Sequence, residues 1–192
     1  YKKVIQTTLA DIVNLNATSN RLLVLAQASS DSTKKGMQSV RMDEVFWQAK
    51  EDINKRNPTY EILFHFDADL DDETLTVQGD EQLLKTAVTN VIDNGCKYAP
   101  DHRIETTIKS ISGKLVMEFK DKGIGIDEED LRLITEPFHR GKNTSNIKGH
   151  GIGLSLVDRI ISLHNGTLSI QSTLNVGTTV EIQLPCRRSK SS

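Results

Sequence analysis

Two short segments carry glycine at every second position: Gly123-Ile-Gly125 and Gly149-His-Gly151-Ile-Gly153. Glycine has no Cβ, so such a segment can turn sharply or bring its backbone amides up against a phosphate group. The second segment runs directly into an apolar helical pattern, and the amides that open a helix attract anions. Two tight turns would explain the same glycines. Neither segment is a P-loop, and Leu154 stands where a dinucleotide-binding fingerprint needs its third glycine.

The pattern of apolar residues predicts a domain that contains both helices and strands. Apolar residues recur at helical spacing over about residues 43–57, 81–98 and 151–164, and Asp43 and Asp80 are suited to cap the first two helices. Alternation and turn residues predict strands at about 40–42, 60–66, 75–77, 104–108, 115–120, 167–170 and 179–184. We therefore expect an α+β fold, a two-layer α/β sandwich in which helices cover one face of a mixed sheet.

The chain divides into three parts. Residues 1–36 hold a long predicted helix, over about residues 3–28, and a linker. Residues 37–186 form one predicted domain, and residues 187–192 form a polar, flexible tail. Because the sequence begins with Tyr1 rather than Met, we interpret it as a fragment of a longer protein.

Composition excludes several classes of protein. The chain has 24 Lys and Arg residues against 26 Asp and Glu residues, which argues against a nucleic-acid-binding module. No apolar run approaches the roughly 18 residues of a membrane span, so no membrane contact is expected. The two cysteines, Cys96 and Cys186, make neither a disulfide framework nor a zinc site.

A row of polar side chains marks the helix predicted to follow Asp80. Asn90, Asn94 and Lys97 are four and three residues apart, so they share one face of that helix. Asparagine oxygens can ligate Mg²⁺, and a lysine ammonium offers a positive charge to a phosphate. A solvated helix face would give the same row. Similarly, Asp121 could accept a hydrogen bond from an exocyclic amine or simply begin a turn.

The order of these segments is more specific than any one of them. It runs through Asn90-Val-Ile-Asp-Asn94-Gly-Cys-Lys97-Tyr98, Asp121-x-Gly123-x-Gly125, Pro137-Phe-His-Arg140, Gly149-x-Gly151-Ile-Gly153-Leu154 and Gly177-Thr-Thr179. This order resembles the ATP-binding domain of sensor histidine kinases, which belongs to a superfamily shared with DNA gyrase, Hsp90 and MutL. The resemblance covers roughly residues 37–186, and the ending Lys97-Tyr98 is closer to the kinases than to the gyrase branch.

The resemblance implies a set of site residues. Asn90 would ligate Mg²⁺, and Asn90, Lys97 and Arg140 would assist phosphoryl transfer. Tyr98 would flank the adenine, Asp121 would accept from its amino group, and residues 135–150 would form a lid. The implied ATP-binding residues are Asn94, Lys97, Tyr98, Asp121, Gly123, Gly125, Arg140, Gly149, His150, Gly151, Ile152, Gly153, Leu154 and Thr179, the last through its hydroxyl.

The resemblance also implies an activity. The γ-phosphoryl group of ATP would pass to a histidine and then to a response regulator receiver domain. Residues 3–28 would be the second helix of a dimerisation hairpin, through which the intact protein would form a homodimer. The chain would be the cytoplasmic portion of a membrane-anchored sensor.

Two departures from the family pattern bear on this activity. None of the five histidines is followed by an acidic residue, as a phosphoacceptor would be, so we expect no autophosphorylation of the fragment. His102 and His164 are interpreted as surface or helix-end residues. Thr86 stands where the ATPase branch has a glutamate, and threonine is a poor general base. A nucleotide-gated binding module without transfer and a gyrase-type ATPase are the alternatives.

Overall fold

A computed structural model describes residues 37–144, 147 and 150–186. The helix predicted over residues 3–28 and the tail at residues 187–192 lie outside the described residues. No helix of the described chain combines the length and the apolar character that crossing a bilayer requires.

The described chain forms four helices and seven strands. In chain order these are β1 (Gln38–Arg41), α1 (Met42–Arg56), β2 (Glu61–Phe66), β3 (Thr76–Gly79), α2 (Glu81–Tyr98), β4 (Arg103–Ile111), β5 (Lys114–Asp121), α3 (Glu128–Leu131), α4 (Gly153–Leu163), β6 (Thr167–Thr173) and β7 (Gly177–Pro185). A single 3₁₀ turn at Lys142–Thr144 lies between α3 and α4.

Five of the strands form the main sheet, in the order β2-β4-β5-β7-β6. β2 runs parallel to β4, and the other three pairs are antiparallel, so the sheet is mixed as predicted. Strands β1 and β3 form a separate antiparallel pair.

One face of the sheet carries the hydrophobic core. Alternate residues of the central strands are buried and share one apolar cluster with α1, α2 and α4. The opposite face carries polar side chains such as Thr107, Glu118 and Glu181, because successive residues of a strand point to opposite sides. The two-layer sandwich predicted from the sequence is confirmed.

Of the two predicted helix caps, one is confirmed and the other is wrong. Asp80 caps α2, since its Oδ1 accepts a hydrogen bond from the Leu83 amide at 3.0 Å. The prediction for Asp43 is wrong: α1 begins one residue earlier, at Met42, and has no side-chain cap. Met42 is fully buried and its amide donates to the Leu75 carbonyl, so tertiary packing sets this helix start. Asp43 instead pairs with Arg41 in the first turn.

The turn between β4 and β5 is confirmed in detail. Ser112 and Gly113 have φ angles of 52° and 75°, and two consecutive positive φ angles are typical of a type I′ hairpin turn. The pairing of Ile111 with Lys114 closes this turn and fixes the register of the two central strands.

Gly95 lets α2 lie close to the sheet. A Cβ built on Gly95 would overlap the Cδ1 atom of Ile104 on β4 and lie 3.0 Å from its Cγ1 atom. Glycine inside a helix costs roughly 1 kcal/mol relative to alanine. The close contact with a fully packed isoleucine explains why the helix carries this residue.

We expect Gly95→Ala to destabilise the domain despite its better helix propensity. Overpacking a core costs roughly 1–3 kcal/mol, which exceeds the propensity gain of about 1 kcal/mol. The free energy of unfolding in urea measures the net change. In an Ile104→Ala background, which lacks the Cδ1 and Cγ1 atoms, the same substitution should be neutral or stabilising. A gain of stability in the unmodified chain would show that Ile104 yields freely.

Candidate functional site

The predicted site residues converge on one cavity. It lies between α2, the end of β5, the segment that follows α3 and the start of α4. Twelve predicted residues line it: Asn90, Asn94, Lys97, Tyr98, Asp121, Gly125, Arg140, His150, Gly151, Ile152, Gly153 and Leu154. Gly123 and Thr179 do not line it, and Gly149 is outside the described residues.

Asn90 and Asn94, in the polar row of α2, face the first turn of α4. Asn90 is only 8% exposed. Its Nδ2 donates to the Thr86 carbonyl at 2.7 Å, which fixes the orientation of the amide. A Cβ on Gly153 would lie 3.4 Å from Asn90 Oδ1 and 3.3 Å from Asn94 Nδ2. The amide oxygen of Asn90 therefore lies beside the positive end of α4.

The start of α4 has the character of an anion site. Its N-cap residue is Ile152, which makes no side-chain capping hydrogen bond. The preceding Gly151 has φ +68°, and a Cβ there would overlap the His139 carbonyl oxygen. Since the Phe138 amide donates to the Gly151 carbonyl at 2.9 Å, the second glycine segment packs directly on the segment after α3.

Asp121 is a half-buried carboxylate with one committed oxygen. Its Oδ1 accepts from the Gly123 amide at 2.8 Å and from the Thr178 amide at 3.2 Å. Burial raises the pKa of the Asp121 carboxyl, and the two amide donors oppose that rise. Among the described residues no donor bonds Oδ2, which leaves this oxygen for a ligand.

The first glycine segment is shaped by protein contacts. A Cβ on Gly123 would lie 2.7 Å from both Asp121 Oδ1 and the Tyr98 carbonyl oxygen. Gly125 has φ +64°, and a Cβ there would overlap the Thr173 carbonyl. The tight-turn explanation therefore accounts for this segment. Gly123 supports Asp121 from outside the cavity, and Gly125 lines the cavity wall.

The predicted site residue Thr179 does not line the cavity, but the residue before it does. Thr178, and not Thr179, lines the cavity, and it is the Thr178 amide that donates to Asp121. Val180 is buried on the core face of β7, so Thr178 shares that face and Thr179 points to the other. The alternation of Val180, Ile182 and Leu184 in the sequence carries this signal.

A buried carboxylate that the sequence did not reveal holds the predicted lid segment. Asp130 is 4% exposed; its Oδ1 lies 3.2 Å from His139 Nε2, and its Oδ2 accepts from the Lys142 amide at 2.8 Å. Asn143 Nδ2 donates to the Gly125 carbonyl at 3.0 Å. Residues 139–143 are thereby tied to α3 and to the first glycine segment.

Arg140 and Tyr98 both line the cavity. The Arg140 guanidinium donates to the carbonyls of Thr144 and Ile147 while it lines the cavity. Burial raises the pKa of the Tyr98 phenol, so its ring is neutral at physiological pH. Lys97 Nζ lies 5.2 Å from the centre of that ring.

The acidic and histidine side chains do not form a metal site by themselves. The described part of the chain contains no group of three or more His, Cys, Asp or Glu residues that could hold a metal ion. His102 lies at the surface, where its Nδ1 atom is 3.0 Å from the Cys96 carbonyl. His164 ends α4 as predicted, but it is buried rather than at the surface.

Comparison with known proteins finds a matching family and similar proteins. The model of the family described as histidine kinase-, DNA gyrase B- and HSP90-like ATPase matches residues 79–188, more than half of the chain. Sensor protein RprX of Bacteroides fragilis is 37% identical over 55% of the chain and 21% of its own length. Histidine-protein kinase ArlS of Staphylococcus aureus is 29% identical over 85% of the chain and 38% of its own length.

Comparison with solved structures finds the same fold. The mycobacterial sensor histidine kinase MprB superposes with a TM-score of 0.67 at 28% identity, over 80% of the chain and 99% of that structure. ShkA, solved in complex with AMPPNP, superposes with a TM-score of 0.75 over 92% of the chain and 36% of its own, and at 20% identity it shows the fold alone. The chain spans about a fifth to two fifths of the length of the curated relatives it matches.

Proposed function

The chain belongs to the histidine kinase-, DNA gyrase B- and HSP90-like ATPase family, and from this premise we propose that it is the ATP-binding catalytic core of a sensor histidine kinase. One observation carries the proposal. The amide row of α2, the free oxygen of Asp121 and the first turn of α4 meet in a single cavity. An acceptor for a base and a site for a phosphate chain would therefore share this cavity, at an adenine end and a phosphate end.

The adenine end is assigned to Asp121. Its Oδ2 would accept a hydrogen bond from the exocyclic amino group of the base, while the amides of Gly123 and Thr178 hold Oδ1 in place. Tyr98 and Ile126 would supply apolar surface for the ring, since both line the cavity. The AMPPNP in the ShkA complex supports an ATP-like ligand in this fold.

The phosphate end is assigned to α2 and the start of α4. Magnesium usually binds phosphate oxygens, water and only one or two protein oxygens, so the oriented Oδ1 of Asn90 fits it without a carboxylate cluster. Bound there, Mg²⁺ would neutralise phosphate charge. Asn94 and the first amides of α4 would bind the phosphate chain.

Transfer of the γ-phosphoryl group needs positioning more than acid–base chemistry. A histidine nitrogen of an acceptor helix would form a bond to the γ-phosphorus in line as the bond to the bridging oxygen breaks, and ADP would leave. Lys97 and Arg140 would stabilise the charge on the phosphoryl oxygens, Arg140 after leaving its two carbonyl partners. Asn90 would orient the transferred γ-phosphoryl group.

Thr86 favours transfer over hydrolysis. A threonine hydroxyl is a poor general base, and Thr86 does not line the cavity; its hydroxyl donates to the Gln82 carbonyl at 2.7 Å. No observation on the described residues favours a gyrase-type ATPase or a binding module without transfer.

The wider activity belongs to the same proposal. Residues 37–186 would be the nucleotide domain and residues 1–36 the second helix of a dimerisation hairpin with its linker. Homodimerisation through that helix, relay of the phosphoryl group to a response regulator receiver domain and a cytoplasmic location would follow from this role. The names of relatives such as RprX and ArlS support it.

We expect Asp121→Asn to weaken ATP binding by about 10- to 100-fold, the value of a hydrogen bond to a charged group. Asparagine still offers one oxygen to the amides of Gly123 and Thr178, so the fold should be kept, but its NH₂ group would oppose the amino group of the base. Calorimetry measures the affinity. Asp101→Asn, which removes an exposed charge outside the cavity, is the control. Unchanged ATP affinity in Asp121→Asn would contradict the assignment.

Asn90→Ala tests the metal position. The unmodified chain should bind ATP more tightly with Mg²⁺ than with EDTA, because the metal screens the phosphate charge, and Asn90→Ala should lose most of this difference while adenosine binding stays constant. The neighbouring substitution Thr89→Ala, outside the cavity, should keep it. A full magnesium effect in Asn90→Ala would remove Asn90 from the metal site.

Labelled ATP distinguishes transfer from hydrolysis. Alone, the chain should bind ATP, label none of its histidines and release phosphate far more slowly than a DNA gyrase B domain measured beside it, since Thr86 is a poor base. Joined to a helical hairpin that bears a histidine and an adjacent acidic residue, it should yield acid-labile phosphohistidine. Rapid phosphate release by the chain alone would favour an ATPase, and bound ATP with neither product in the joined protein would favour a binding module.

A further inference from the structure

Helices α2 and α4 lie side by side and antiparallel. A Cβ built on Gly153, at the start of α4, would lie 3.3 to 3.4 Å from the side-chain amides of Asn94 and Asn90 on α2. At the other end of the pair, His164 at the end of α4 meets Asp80 at the start of α2. At 1.5 Å per residue, about 15 Å separates the two meeting points along either helix.

His164 joins the two helices through Nε2, and its other ring nitrogen holds the imidazole to its own helix. Its Nε2 accepts a hydrogen bond from the Asp80 amide at 3.0 Å, so the ring hydrogen is on Nδ1, which donates to the Ile160 carbonyl at 2.7 Å. The residue is 2% exposed, and burial lowers the pKa of its imidazole, so the ring is neutral. Asp80 in turn caps α2 through its carboxylate.

The imidazole of His164 lies directly against the backbone of Gly79. A Cβ on Gly79, the last residue of β3, would lie 2.6 Å from Cδ2 and 2.9 Å from Nε2 of His164, and 2.7 Å from Cδ1 of Leu84. The conformation of Gly79 does not itself require glycine, since its φ is not positive. The missing Cβ is therefore explained by the ring that lies against it.

We propose that His164 is a positioning residue for the phosphate end of the nucleotide site. By holding the start of α2 to the end of α4, it fixes how the two helices lie against each other, and so the placement of Asn90 and Asn94 relative to the first turn of α4. The inference rests on the proposed function in that the ligand is taken to be ATP.

The adenine end lies away from this link. Asp121 and Thr178 belong to β5 and β7, and Gly123 to the segment that follows β5. Tyr98 is at the end of α2 opposite Asp80, and none of these residues belongs to α4. A shift of α4 along α2 should therefore weaken binding of the phosphate chain and leave binding of the nucleoside unchanged. Loss of a residue that only stabilises the core would instead weaken the binding of ATP and of adenosine alike.

Two substitutions at one position test the link. In His164→Gln the amide oxygen can replace Nε2 as acceptor for Asp80, whereas in His164→Asn the shorter amide can replace only the Nδ1 donor to Ile160. The measurement is the Kd of ATP with Mg²⁺ and of adenosine, at a temperature where circular dichroism shows each variant folded. We expect His164→Asn to lose about tenfold in ATP affinity, with adenosine unchanged, and His164→Gln to recover most of the loss.

A third variant tests the same contact from the other side. Gly79→Ala keeps the histidine but displaces its ring, so it should reproduce the selective loss of ATP affinity even if His164→Asn fails to fold. Gln78→Ala, at the neighbouring exposed position of β3, is the control and should bind both ligands normally.

The outcomes separate this inference from the proposed function. Folded variants that bind ATP as the unmodified chain does, or that lose ATP and adenosine in parallel, would overturn the positioning role of His164. An unmodified chain that binds neither ligand would instead overturn the nucleotide site itself.

Discussion

The rest of the structure depends on the packing of α2, which contacts the sheet on one side and the cavity on the other. The apolar side of α2 packs on the sheet, and its opposite side carries the amides of the site. Gly95 lets the helix lie against Ile104, and Ile104 also lines the cavity. The same contact therefore belongs both to the core and to the site. A core this dense responds to changes of a single methyl group. The distance between the amide row and Asp121 on β5 is therefore a property of the packing.

Fixed dipoles lie beside the charged side chains of Lys97, Asp121 and Arg140 in the cavity. Asn90, Asn94, the amides that hold Asp121 and the start of α4 are all neutral groups fixed by hydrogen bonds or helix geometry. Oriented backbone and amide dipoles can hold a phosphate chain without a basic patch on the surface. This explains how a chain with a formal net charge of −2 can form such a site.

Local signals in the sequence predicted local structure well. The Asp80 cap, the Ser112-Gly113 turn and the spacing of the α2 row each depend on a few consecutive residues, and each is present in the structure. The failures involve distant partners. The start of α1 follows from a bond between Met42 and Leu75, and the burial of His164 follows from contact with Gly79. Thr179 is a different error, because strand alternation already pointed to Thr178.

The parallel pairing of β2 with β4 imposes an order on the folding of the chain. The hairpins β4–β5 and β6–β7 join neighbouring segments, and such local pairings form early because closing a short loop loses little chain entropy. The two parallel strands, in contrast, are separated in the chain by β3 and the whole of α2. We therefore expect the β2–β4 pair to form only as α2 docks, so that the amide row of the site is assembled late, on a sheet whose central hairpin already exists.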